Sequence, residues 1–201
     1  MVRSLTITAT LARQRGCSDG IDNAREALGR DVGDDEPVPL TELVALEAVS
    51  LEDVVRAVFV AGPDARRAYR HWIVDVYEAR RLAALEVLPV FERDRPGDDR
   101  PRKALDSYPA AYQGAREVIV GHGTLDDLIE RRYTSAADAA YAADAAYAAS
   151  AARQKWNAGF RAWCRRRLGA RLAGEVPTVA DDPTLAPLIA ELRAAVAAKV
   201  A

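Results

Sequence analysis

Apolar residues recur at helical spacing along most of this chain. Leu51, Val54, Val55, Val58 and Phe59 fall at i, i+3, i+4, i+7 and i+8, which is one face of a helix. Ser50, with Asp53 three residues on, has capping-box spacing in front of that face. Gly62-Pro63 stops the pattern and Asp64 can cap the next helix. There, Tyr69, Trp72, Ile73, Val76 and Ala83 trace one stripe, with Arg66, Arg67, Arg70, Arg80 and Arg81 mostly off it. Pro89 marks the predicted end, and residues 93–97 read as a polar loop. Before this region, Thr41 can cap a short helix carrying Leu43, Val44 and Leu46. Residues 31–39 read as an acidic, proline-bearing loop, and Asp19 or Ser18 can cap a helix running to Leu28 and stopped by Gly29. Leu5, Ile7, Ala9 and Leu11 alternate as a strand does, although a short helix capped by Thr8 or Thr10 fits equally well.

Asp98 or Asp99 is a good N-cap, with Pro101 in the first turn, where its missing N–H is harmless. Leu105, Tyr108, Tyr112, Ala115 and Ile119 continue a stripe that Pro109 kinks or breaks. After the break at Gly121-His122-Gly123, Thr124 and Asp127 repeat the capping-box spacing before Leu125, Leu128 and Ile129. A helical pattern then runs to Leu168 and ends at Gly169, either as one helix or as two with a second start at Ser135. Residues 174–183 read as a linker, followed by an amphipathic helix carrying Leu185, Leu188, Ile189, Leu192 and Val196. The expected fold is all-α: a single compact helical domain of about six to eight helices. Residues 1–174 form its body, and 175–201 supply the linker and the C-terminal helix that packs on it.

Alanine changes the picture. Twelve of the eighteen residues from Ser135 to Ala152 are alanine, and every third residue is something else: Ser135, Asp138, Tyr141, Asp144, Tyr147, Ser150. Three helical steps turn about 300°, so these residues wind around the helix instead of stacking on one face. The expectation is a long alanine-rich helix, small on nearly every side and packed closely within the domain. A partner surface, or self-association through the alanine faces, is the functional reading of the same pattern. Asp138 and Asp144 exclude a membrane span here.

Composition and charge narrow the function classes. A net charge of −2 argues against a general nucleic-acid or membrane-surface protein. Met1 to Thr10 lacks a secretory pattern, so Cys17 and Cys164 are expected as reduced, packed thiols in a cytoplasmic protein. His71 and His122 have no metal-ligand spacing around them, and no phosphate loop or nucleophile motif is present. The expectation is a non-enzyme with no catalytic residues, no metal and no cofactor. Charge is also segregated. Residues 31–53 hold eight acids and no Lys or Arg, whereas residues 153–171 hold seven bases and no acid. Trp156, Phe160 and Trp163 interleave with those bases at i, i+4 and i+7. One reading is a nucleic-acid surface, with Arg161, Arg165 and Arg166 on phosphates and the rings stacking on bases. The favoured reading puts the rings in the core, because their spacing is helical, and leaves the arginines as a solvated rim.

Asp98-Asp99-Arg100-Pro101-Arg102-Lys103-Ala104-Leu105-Asp106, then Gly123-Thr124-Leu125-Asp126-Asp127-Leu128, then the alanine array with its Tyr and Asp, resemble the bacterial immunity-protein family of alanine-rich helical proteins. Cys17-Ser18-Asp19-Gly20 and the Arg-rich segment 65–87 resemble that family's front half, so the likeness covers residues 8 to 170. Pro109, Gly114 and the tail after Gly174 depart from it. The resemblance implies a helical fold and a non-catalytic role in binding a protein partner such as a toxin. Arg100, Arg102 and Lys103 are the motif's charged members, and with Arg161, Arg165 and Arg166 they are the candidate partner-binding residues. The alternative expectation is a phage or mobile-element accessory protein that binds nucleic acid through the basic aromatic helix. Neither reading involves a membrane.

Overall fold

A computed structural model describes residues 5–15, 19–100, 102, 103, 105, 150–175 and 178–200. Among these, the protein is all-α apart from one small ribbon. Strand β1 (Thr6–Ile7) pairs antiparallel with β2 (Val38–Pro39), setting Thr6 opposite Pro39 and Ile7 opposite Val38. The helices are α1 (Ala9–Gln14), α2 (Asp19–Leu28), α3 (Leu40–Ala45), α4 (Leu51–Ala61), α5 (Pro63–Asp94), α6 (Ser150–Ala173) and α7 (Leu185–Val200). Arg100, Arg102, Lys103 and Leu105 are also helical. Several expectations from the sequence fall outside the described residues. These are the stripe from Tyr108 to Ile119, the Gly121-His122-Gly123 break, the second capping box, the alanine array up to Ala149, and Cys17.

The chain divides into two compact units. The first comprises residues 1–73 and 164–176, and the second residues 74–163 and 177–201. In the first, both alternatives at the N-terminus are realised in succession. The strand lasts two residues, and then Thr8, not Thr10, caps α1 by accepting the Leu11 N–H at 3.1 Å. The stretch 31–39 is a loop only as far as Pro37, since its last two residues form β2. A two-residue strand leaves no periodic pattern to read, and its pairing is set by the contact with β1. Helix α3 starts one residue before Thr41, which therefore lies inside the first turn, and Pro39 stands at the N-cap without a side-chain hydrogen bond. Ser50 caps α4 as expected: its hydroxyl oxygen accepts the Asp53 N–H at 3.0 Å, and its proton reaches Asp53 Oδ2 at 2.7 Å. Val54 and Val58 on that helix are fully buried, while Phe59 is exposed. Gly62, at φ 127°, closes α4 in a conformation that side-chain-bearing residues rarely adopt.

Two helix ends lie beyond their expected positions. Pro89 sits inside α5, which runs on to Asp94. An internal proline costs about 3 kcal/mol through its missing N–H and its ring clash. Burial of Val87 and Leu88 before it and Phe91 after it holds the helix through the defect. Helix α6 likewise passes Gly169 and ends at Gly174, whose φ is 82°. There the Gly174 N–H bonds Arg171 O at 3.2 Å and the Glu175 N–H bonds Ala170 O at 2.8 Å, the paired capping bonds of a Schellman end. Gly169 serves a different purpose. A Cβ built on it would lie 3.3 Å from Val44 Cγ1, so its bare backbone permits close approach. The buried line of α5 also differs from the expected stripe. Ala65, Trp72, Asp75, Ala79, Ala83 and Val87 are buried, whereas Tyr69, Ile73 and Val76 are half-buried. Counting only large apolar residues misplaces that line, because three of its members are alanines and one is an aspartate.

In the second unit, α7 buries Leu185, Ile189, Leu192 and Val196. The segment before it is more than a linker. Val179 is buried, and Asp182 Oδ1 accepts the Thr184 N–H at 2.9 Å to cap the approach to α7. No helix of the described residues is long and apolar enough to cross a membrane.

Candidate functional site

Helix α6 carries both the aromatic triplet and most of the candidate arginines. Trp156, Phe160 and Trp163 are 6%, 6% and 1% exposed, in the core of the second unit. Their rings stack in sequence, with centroids 5.0 and 5.5 Å apart and planes within 14°. The Arg80 guanidinium lies 5.7 Å from the Phe160 centroid. Trp163 Nε1–H donates to Asp182 Oδ2 at 2.9 Å, so one carboxylate both satisfies a buried indole and organises the start of α7. Gly159 lies between the first two rings in sequence, and a Cβ there would meet Leu188 Cδ2 at 2.6 Å. The ladder is therefore a packed core, and none of its rings is open to a nucleic-acid base.

The arginines that alternate with these rings separate by environment. Arg161 and Arg166 are exposed. Arg165, in the first unit, is half-buried and acts on the backbone. Its NH1 donates to Val44 O at 2.9 Å and Leu46 O at 2.8 Å, and its NH2 donates to Val49 O. These carbonyls belong to the end of α3 and the turn after it, groups that a helix end leaves without intrahelical partners. Arg167, absent from the sequence-based set, is buried. Buried Asp75 was also missed, and no periodicity argument would have placed a carboxylate in a core line. Cys164 is buried, and its carbonyl accepts Trp72 Nε1–H at 2.7 Å.

The motif's charged residues lie in the second unit, all exposed, and each is held by a carboxylate. Arg100 pairs with Asp98 through Nε at 2.7 Å and NH2 at 2.6 Å. That side-chain bond holds the Asp98 carboxyl down from 3.8 to about 2. Asp98 Oδ1 also accepts the Arg100 N–H at 3.3 Å. Arg102 grips Glu92 with two bonds of 2.8 and 2.7 Å, which lowers that carboxyl as well. Lys103 meets Asp99 at 2.7 Å, four residues apart. Arg100, Arg102 and Lys103 thus form an exposed row of oriented ion pairs. Arg161 shares their unit, and Arg165 and Arg166 belong to the other.

His71 is exposed on α5. Among the described residues, no group of three or more His, Cys, Asp or Glu side chains could hold a metal ion. The first unit contains a cavity of about 100 Å³, with Ile7, Ile21, Val38 and Val54 among its lining residues and Arg25 and Asp53 among its charged ones. Comparison with family models, curated proteins and solved structures finds no match to this chain.

Proposed function

We propose that this chain is a non-catalytic helical interaction protein that binds a protein partner. The resemblance to the immunity proteins names a toxin as the partner class. The observation that carries the reading is the burial of the Trp156, Phe160 and Trp163 ladder. Single-strand binding relies on aromatic faces open to bases, and the basic helix offers none from this triplet. Among the described side chains of α6, the exposed charges are Arg161 and Arg166. Arg100, Arg102 and Lys103 add cations already oriented by their carboxylates. Exposed charges of this kind steer encounter and set partner choice more than they add affinity.

The test is co-expression of the full chain with the protein encoded beside it, read by growth and by light scattering of the purified mixture. A stoichiometric complex together with relief of toxicity is the expected result. Absence of any complex overturns the reading. So does salt-sensitive binding to DNA or RNA that disappears in an Arg161→Glu, Arg166→Glu double variant, because that result establishes the accessory nucleic-acid role instead.

A further inference from the structure

Most arginines of the first unit have partners. Arg13 and Arg25 share Asp34, Arg30 bridges Glu36 and Glu42, Arg56 pairs with Glu52, and Arg165 holds backbone carbonyls. Arg66, Arg67 and Arg70 break the pattern. All three are exposed, and among the described residues none of their side chains makes an ion pair or hydrogen bond. They fall within the first eight residues of α5. Arg66 and Arg70 are four apart and Arg67 and Arg70 three apart, spacings at which like charges weaken a helix. Arg66 also closes the first turn, where the helix dipole disfavours a cation. No contact among the described residues offsets this repulsion, so the arrangement works against the stability of α5.

An aromatic edge lies beside them. Phe59 is 43% exposed, and its ring meets Tyr69 edge-on, with centroids 4.8 Å apart and planes at 63°. Tyr69 in turn packs on Trp72 at 5.4 Å, and Trp72 is anchored by its bond to Cys164 O. The exposed ring is therefore held in place by a chain of contacts that ends in the core. Such pre-organisation lowers the entropic cost of binding. Tyr69 lies three residues after Arg66 and one before Arg70, so the apolar and cationic parts adjoin.

We infer that Phe59 and Tyr69 with Arg66, Arg67 and Arg70 form a docking surface for an acidic segment of a protein partner. Carboxylates take the guanidinium forks, and one apolar side chain covers the Phe59–Tyr69 edge. The inference rests on the protein-partner reading above and names its surface and the partner's chemistry. Arginine forks match carboxylates bidentately, and aromatic residues with arginine dominate interface hot spots. Charge complementarity selects an acidic occupant. A peptide segment also brings an apolar side chain to cover the Phe59–Tyr69 edge, which a phosphate backbone does not supply.

The experiment uses the full chain as bait for random short peptides displayed on phage. Two variants accompany it: Arg66→Glu, Arg67→Glu, Arg70→Glu, and the neutral Arg66→Gln, Arg70→Gln. The parent is expected to select peptides rich in Asp and Glu around a leucine or an aromatic residue. Binding of one such synthetic peptide should fall by more than about tenfold in either variant. Phe59→Ser should also weaken it. The neutral variant should melt at or above the parent's temperature, because it removes repulsion. A lower melting temperature for the neutral variant would show that these arginines support the fold and overturn the inference. Selection without acidic enrichment, an unchanged peptide set in the charge variants, or no selection at all also overturns it. If the co-expressed complex survives in the charge variants, only the surface is lost. If a DNA or RNA oligomer binds through these arginines instead, the protein-partner reading falls with it.

Discussion

Arg165 and Arg166 are adjacent and chemically alike, yet among the described residues only the first has backbone acceptors. Replacing Arg165 with methionine removes its guanidinium from the carbonyls of Val44, Leu46 and Val49, of which Leu46 O keeps the Val49 N–H at 3.1 Å. Hydrogen bonds to charged groups contribute about 1.5–3 kcal/mol each, and partial hydration of the carbonyls offsets part of the loss. Arg165→Met should therefore lower unfolding stability by about 2–3 kcal/mol in urea titration. Arg165→Lys should recover little, because an ammonium lacks the planar fork. Arg166→Met, at an exposed position, should stay within about 0.5 kcal/mol of the parent. The same residue scale governs Asp98. Its carboxyl should titrate near 2 by NMR and return toward the ordinary carboxyl range in Arg100→Ala. The sequence identified both arginines as members of one basic helix. The assignment of one to the α3 carbonyls depends on a contact more than a hundred residues away in the chain, and local spacing carries no trace of it.

At the scale of elements, two glycines of α6 make a contrast that local rules miss. In a helix interior, glycine to alanine gains about 0.8–1 kcal/mol of propensity. At Gly169 the new methyl meets Val44 Cγ1 at 3.3 Å, a contact that a small shift relieves. Gly169→Ala should therefore be close to neutral in thermal melts. At Gly159 it meets Leu188 Cδ2 at 2.6 Å, and Leu188 must move. Overpacking of this kind costs about 1–3 kcal/mol, so Gly159→Ala should be the less stable of the two. Leu188→Ala should couple with it favourably by about 1 kcal/mol in a double-mutant cycle. Both ends of α4, at Ser50 and at Gly62, were legible, because caps are local chemistry. Helix ends at Pro89 and Gly169 were not, because burial on either side overrides the local breaker.

At the scale of the whole molecule, four carboxylates among the described residues are held down by arginines. Asp34 is lowered by Arg13 and Arg25, Glu36 by Arg30, Glu92 by Arg102, and Asp98 by Arg100. Each folded-state value lies below the unfolded one, so these groups stabilise the fold above the ordinary carboxyl range. The contribution is lost as pH falls through the lowered values, with Asp98 last, near 2. Stability should therefore rise with pH across the acid range and level off above it, with a modest slope because the pairs are solvent-exposed. Urea midpoints between strong acid and neutrality test this, and added salt should flatten the profile.

The sequence by itself determined the all-α class, the Ser50 cap of α4 and the core placement of Trp156, Phe160 and Trp163. Each of these follows from spacing within a few turns of one helix. Only the tertiary structure decided which arginine serves the backbone, which glycines admit a neighbour, that Asp182 joins an indole to a helix cap, and that an aspartate lies in the buried line of α5. It also separated Arg66, Arg67 and Arg70 from their paired counterparts. Periodicity marks which residues share a helix face, but a charged side chain takes its role from the groups that the fold brings to it.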